Sequence, residues 1–248
     1  MEPTLHIRLL GDFSLIYDNR QVTSLNTMRL QSLLAYLVLH RDAPQQRQHL
    51  AFLFWPDTTE AQARNNLRQL LHQLRQVFPA VEHFLSADTH TLYWHPQEPC
   101  HIDIAEFEQA LTEATAGTQR NDQHAQQIAL EQADSLYRGA LLPGCYDEWI
   151  LPERERHRQL SLHALESLCD HLTAAGRYGA AVQAGLAAVD REPLRESAHR
   201  ALVRAHLAEG NAWEAIRRYR HYEKIAARDL GVEPSPMMRS LLSQVAAV

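Results

Sequence analysis

The sequence predicts a mainly α protein with a small β portion, built as two halves of different character. Three observations carry this. Apolar residues alternate in two short runs near the start and in two more near residue 90, each pair separated by turn residues, which is the pattern of β-hairpins. Between and after those runs, apolar residues recur at three- and four-residue spacing, the period of helices docked by one face. The back half also repeats itself at 34 residues, with Gly176 and Ala181 returning as Gly210 and Ala215.

The first half is read in order. LHIRLL and FSLIY flank Gly11-Asp12, and Asp18-Asn19-Arg20 leads to a short QVTSL, giving a small antiparallel sheet. Thr27 is expected to cap MRLQSLLAYLVLH, whose Leu30, Leu33, Leu34, Leu37 and Val38 share one face. After the turn at Asp42-Ala43-Pro44 a shorter helix is expected from about Gln46 to Phe54. Trp55-Pro56-Asp57 breaks it, and Thr58 or Thr59 caps a long helix reaching Phe78. Beyond Pro79, FLSA and TLYWH suit a hairpin around Asp88-Thr89-His90. A small sheet, three helices and a closing hairpin make a winged helix-turn-helix, expected over residues 1–96. In that geometry the last helix enters a DNA major groove, the first two brace it and the hairpin lies alongside as a wing.

Pro96-Gln97-Glu98-Pro99 reads as a linker, and residues 97–248 as an all-α, tetratricopeptide-like domain. Asp103 is expected to cap IAEFEQALTEA, a helix follows from about Asn121 to Tyr137, and a long one runs from about Asp147 to Ala175. The repeat then occupies AAGRYGAAVQAGLAAVDREP and AEGNAWEAIRRYRHYEKIAARDLGVEP, with Gly in the turn and Ala where paired helices cross. Trp149, Tyr178, Trp213, Tyr219 and Tyr222 are expected to pack between helices. Such an array offers a surface for protein contact.

Composition narrows the function. The 45% hydrophobic and 22% charged content is that of a soluble globular protein, and neither a membrane span nor a secretory signal is visible, so a cytoplasmic protein is expected. Cys100, Cys145 and Cys169 form no CxxC pair, which argues against a zinc site or a disulfide framework. The single lysine, Lys224, lies in YEKIA and cannot serve a GK[ST] phosphate loop. HExxH, GxSxG and GxGxxG are absent, and the fifteen histidines show no metal-ligand spacing. An enzyme, a cofactor and a metal are therefore not expected. The net charge of −6 lies entirely in residues 96–248; residues 1–95 balance eight Arg against eight acids.

The local exception is the Thr58–Phe78 stretch. At about 100° per residue, Ala63, Leu67, Leu70, Leu71, Leu74, Val77 and Phe78 share one arc. The opposite arc carries Asn65, Arg68, Gln69, His72 and Gln76, flanked by Arg64 and Arg75, with no acid after Glu60. Ordinary solvated faces mix acids and bases at i,i+4 spacing. Forks and amides instead are the groups that read guanine and adenine edges and hold phosphates. Arg68 and Asn65 are the expected base readers, Arg64 and Arg75 the phosphate contacts, and Thr89 and His90 the wing contacts. The Trp55, Asp57, Thr58 and Glu60 loop, outside the groove, suits RNA polymerase.

Seven short motifs, in order, also carry a resemblance over nearly the whole chain. IRLLGDFSLI, MRLQSLLAYLVL, HLAFLFWPD and RNNLRQLLHQLRQVF resemble the strand pair and three helices of the antibiotic-regulatory-protein (SARP) activators, with Asn65, Leu67, Leu74 and Arg75 at recurrent positions. HIDIAEF, LYRGALLPG and DLGVEPS are similar to their bacterial transcriptional activator domain (BTAD). The usual Gly-Tyr pair of the wing is missing from THTLYWH. The resemblance implies a bacterial transcriptional activator with an OmpR-type winged helix. Its partners would be double-stranded DNA at direct-repeat promoter sites, RNA polymerase, and a second copy on DNA. It also implies that the chain could be the front of a longer regulator. The alternative is a tetratricopeptide adaptor whose winged helix contacts protein.

Overall fold

The structure, a computed structural model, describes residues 3–245. It divides into two compact units. One takes the chain up to Phe107 together with Leu136–His157; the other takes Glu108–Ser135 and the chain from Arg158 onward. No described helix is long and apolar enough to cross a membrane.

In the first unit, β1 (Leu5–Arg8), β2 (Ser14–Tyr17) and β3 (Arg20–Gln21) form an antiparallel ladder. Asp18 and Asn19, at φ 48° and 61°, make its two-residue turn; short polar side chains tolerate this left-handed region. Next come α1 (Met28–Leu39), β4 (Gln45–Gln46), α2 (Arg47–Phe54) and α3 (Glu60–Val77), a 3-10 turn over Pro79–His83, then β5 (Leu85–Ala87), β6 (Thr91–Trp94) and β7 (Cys100–Ile102). Strand β7 joins β1 in parallel, and β4 pairs with β6, so the hairpin is a three-stranded sheet of order β4-β6-β5. Leu33, Leu34, Leu37, Leu50, Leu67 and Leu71 fill the core between the helices, and each is almost wholly buried. At roughly 1.5–3 kcal/mol per fully buried side chain, these leucines account for the docking of α3.

Three expectations are corrected. Thr27 stands at the start of α1, yet its side chain makes no capping bond; its carbonyl accepts from Leu30 and Gln31 instead. Pro96–Pro99 is stitched down rather than free: the Gln97 amide donates to the His83 carbonyl, Tyr17 donates to Glu98 at 2.9 Å, and the Leu5 amide donates to the Pro99 carbonyl. Asp103, the first residue of α4 (Asp103–Gln119), sends its carboxylate back to the amides of Leu9 and Leu10 at 2.8–2.9 Å. Burial pushes its pKa up and these amides pull it down.

The Leu136–His157 stretch belongs to the same unit. Leu142 donates to the Leu9 carbonyl and adopts φ 42°, a strained value for leucine, under an Arg154 guanidinium that donates to the carbonyls of Leu141, Leu142 and Cys145. Ser32 donates to Asp147 at 2.6 Å, and Trp149 donates to Ser32 while its ring meets Tyr36 edge-on. Trp149 thus packs on α1 rather than within the repeats.

The second unit comprises the later turns of α4 and of α6 (Ile150–Ala174) with α5 (Gln123–Leu136, all but its last residue), α7 (Tyr178–Arg191), α8 (Glu196–Ala208), α9 (Ala212–Asp229) and α10 (Pro236–Val245). Gly176 and Gly210 stop their helices at φ 71° and 83°, where a side chain would be strained, and this accounts for the repeat at 34 residues. At Gly185 a Cβ would lie 3.1 Å from Leu202, so α7 and α8 cross as closely as the small residues suggested. Tyr219 and Tyr222 are buried with Ala215, Ala226 and Met238 as expected, but Trp213 faces solvent at 71% exposure.

Candidate nucleic-acid interface

Helix α3 runs 18 residues. Its start is Thr59, whose side chain accepts from the Gln62 amide at 3.3 Å; Thr58 instead donates to the Trp55 carbonyl. Ala63, Leu67, Leu70, Leu71 and Leu74 are buried, which turns Arg64, Arg68, Gln69, His72 and Gln76 to solvent and leaves Asn65 and Arg75 half-buried.

The wing is set by Asp88. Its carboxylate accepts from the amides of His90 and Thr91 at 2.6 and 2.7 Å and from the Thr91 hydroxyl at 2.8 Å. These bonds hold its pKa down at about 2, so the carboxylate stays charged and the turn stays closed at neutral pH. Thr89 and His90 are thereby exposed at the tip.

Between α3 and the wing stands a residue the helix pattern did not single out. Arg47 opens α2; its amide donates to the His90 carbonyl and its guanidinium to the Asp88 carbonyl, both at 2.8 Å. Burial lowers its pKa, followed by the charge of Arg75, with Asp88 opposing and Arg68 adding to the effect. Arg47 therefore feels the guanidinium groups of two residues of α3, an arrangement that favours an anion near it. Arg47 and Arg68 border an open groove of about 840 Å³ lined by Gln46–Gln48, Arg64, Leu67, Arg68 and Thr89–Thr91. None of these lining residues is a carboxylate.

The structure brings four expected residues into this groove: Arg64, Arg68, Thr89 and His90. Asn65, Gln69, His72, Arg75 and Gln76 lie on the same helix outside it. Gln76 and His72 bond each other at 3.0 Å, and Arg75 is held by Glu82. Arg64 is paired with Glu60, the first residue of α3, which also accepts from Gln48 at 3.1 Å. In the loop before α3, Trp55 is half-buried beneath the Arg29 guanidinium, 5.6 Å from its ring centre, while Asp57 is exposed. Arg47, Gln46, Gln48 and Thr91 were missed. The QQRQ run across the start of α2 is the local sign of the first three.

Other chemistry has little footing. Among the described residues no group of three or more His, Cys, Asp or Glu is placed to hold a metal. Burial pushes the Cys100 and Cys169 thiols up to about 12, leaving them un-ionised and poor nucleophiles.

Residues 102–246 match the family described as "Bacterial transcriptional activator domain". The chain belongs to that family. As a BTAD protein it is 24% identical over 254 residues to the transcriptional regulatory protein EmbR of Mycobacterium tuberculosis and of Mycobacterium bovis, covering 99% of this chain and 64% of theirs. It is 25% identical over 217 residues to the regulatory protein AfsR of Streptomyces coelicolor, covering 87% of this chain and 22% of that one. The structure of M. tuberculosis EmbR in complex with a low-affinity phosphopeptide shares the fold, with a TM-score of 0.83 at 23% identity over 99% of this chain and 66% of that chain. The BTAD chain spans a little under two thirds of EmbR and about a fifth of AfsR. The SARP-type resemblance and the architecture of winged helix plus BTAD are both borne out.

Proposed function

We propose that this transcriptional regulator binds duplex DNA through α3 and the wing, in the bacterial cytoplasm, and activates transcription by recruiting RNA polymerase. The observation that carries the reading is the carboxylate-free groove, to which α2, α3 and the wing each contribute. Arg68 and Asn65 face bases in this reading, while Arg64, Arg75 and Arg47 hold phosphates, with Gln69, His72 and Gln76 along the outer face and Thr89 and His90 at the backbone. Residues 1–96 then supply recognition and residues 97–248 the activator half. Asp57 is the best-exposed polymerase contact of its loop.

Fluorescence anisotropy on duplexes selected from genomic fragments tests it. Arg68→Ala should cost about 1–3 kcal/mol and relax sequence preference, whereas Arg47→Ala should weaken all sequences alike and reduce the salt slope by about one. A saturable, sequence-independent loss for Arg68→Ala would move that residue to the phosphate group. The groove supplies few charges, so one copy should bind weakly. Two copies on direct repeats about one helical turn apart would compensate, and would be seen as steeper titration on a two-site duplex.

A second reading, the protein-contact adaptor, is favoured by one fact: Arg64 and Arg75 already pair with Glu60 and Glu82. Absence of any duplex shift at low salt would select it.

A further inference from the structure

Helix α9 presents a second cationic face, and nothing in the DNA reading uses it. Trp213, Arg217, Arg220 and Lys224 recur at four-, three- and four-residue spacing and stand exposed along one side, with Ile216 and His221 beside them. Together they line an open groove of about 600 Å³ in which no carboxylate appears. Arg217 is spoken for. Its guanidinium lies 5.3 Å from the Trp213 ring centre and donates to Glu214 at 2.8 Å. Arg220 and Lys224 make no hydrogen bond or ion pair with a described residue, in a unit where Arg177, Arg191, Arg195, Arg204, Arg218 and Arg239 each have an acidic partner.

Trp213 therefore stands 71% exposed in one groove with two cations that pair with no described residue, although the chain as a whole carries a net charge of −6. A large aromatic ring left in water next to free charge is the usual make-up of an interface anchor, because its burial supplies affinity and the charges supply orientation. We propose that this face docks an acidic amphipathic helix of another protein. The partner's aliphatic or aromatic side chains lie on Trp213 and Ile216, and its carboxylates meet Arg220 and Lys224. The spacing of the four residues over three turns matches anchors at i, i+3/i+4 and i+7 on such a helix. A nucleic acid fits less well: successive bases need several stacking rings, and the groove has only the Trp213 indole and the His221 imidazole.

The test uses the full chain and a fluorescein-labelled 16-residue designed peptide, about 16 residues being enough for four helical turns, with Leu at i, i+4, i+7 and i+11 and Glu between. Controls are the same peptide with Lys for Glu, a peptide with Ser for Leu, and single-stranded dT20. The acidic amphipathic peptide should bind saturably, weaken severalfold as salt rises, and bind at least tenfold more weakly to Trp213→Ala and to Arg220→Glu/Lys224→Glu. All three side chains are exposed, and thermal melts of both variants should match the parent. Equal binding of the Lys or Ser peptide overturns the proposal, as does affinity unchanged in the variants. Binding of dT20 that depends on the same residues reassigns the face to nucleic acid. Self-association abolished by Arg220→Glu/Lys224→Glu, seen by sedimentation velocity, reassigns it to a second copy.

Discussion

Helices α3 and α9 are close analogues on paper. Each has 18 residues, each is capped by a side chain accepting from the third residue of the helix (Thr59 from Gln62, Asn211 from Glu214), and each turns arginines outward. They differ in company. The arginines of α3 join Arg47 and a wing turn fixed by Asp88, so the groove is assembled from three elements. Those of α9 stay on one helix around a single exposed tryptophan. Outward charge alone does not say what a helix binds; the groups that neighbouring elements deliver to it do.

The largest test separates the two faces by function. The Arg47→Ala/Arg68→Ala pair should lower duplex affinity by about two orders of magnitude, since each contact is worth about 1–3 kcal/mol. Arg220→Glu/Lys224→Glu should leave it within about twofold. Comparable losses from both pairs, in the same anisotropy titration, would erase the distinction.

The caps give a smaller effect of equal size on the two sides. Thr59→Ala and Asn211→Ala should each cost about 1 kcal/mol in urea unfolding. Only the Thr59 change should also weaken duplex binding, because only α3 is placed in the groove. If Asn211→Ala lowers DNA affinity as much, α9 takes part in recognition.

Acid should sharpen the contrast least, yet in a defined direction. Burial lowers the pKa of His199, aided by the charges of His221 and Arg218 and opposed by the bond to the Pro193 carbonyl. The unfolded chain is then easier to protonate than the fold, so the stability this residue contributes is complete above its ordinary 6.5 and shrinks as pH falls below it. Asp88, held at about 2, keeps its charge well below that point. Hydrogen exchange at pH 7 and pH 5 should therefore show α8 losing protection before the wing turn does. Loss of the wing amides first would contradict both assignments.

Much of this was legible beforehand. Helix positions, the hairpin, the apolar stripe of α3 and the 34-residue repeat follow from local periodicity and turn residues, and the structure has them within a few positions. What escaped depended on partners distant in sequence. The two-residue β4 exists only because Gln45 and Gln46 meet Leu92 and Thr91, and that pairing is what turns Arg47 into the groove. Trp213 was misjudged for the reverse reason: aromatic residues in helical repeats usually pack, and no local signal marks the one that does not. Within the candidate site, the helix face could be read as a surface, but not which of its arginines were already neutralised by Glu60 and Glu82.

The bond from Asp103 to Leu9 and Leu10 has a practical consequence for anyone dissecting the chain. Cutting after residue 96 removes β7 from the flank of β1 and takes away the acceptor of two buried amides, each costing about 1–3 kcal/mol if left bare. The remaining piece would carry an open strand edge, which invites edge-to-edge pairing between molecules. Aggregation of such a fragment would be a property of where it was severed, and would say nothing about whether the intact protein recognises DNA.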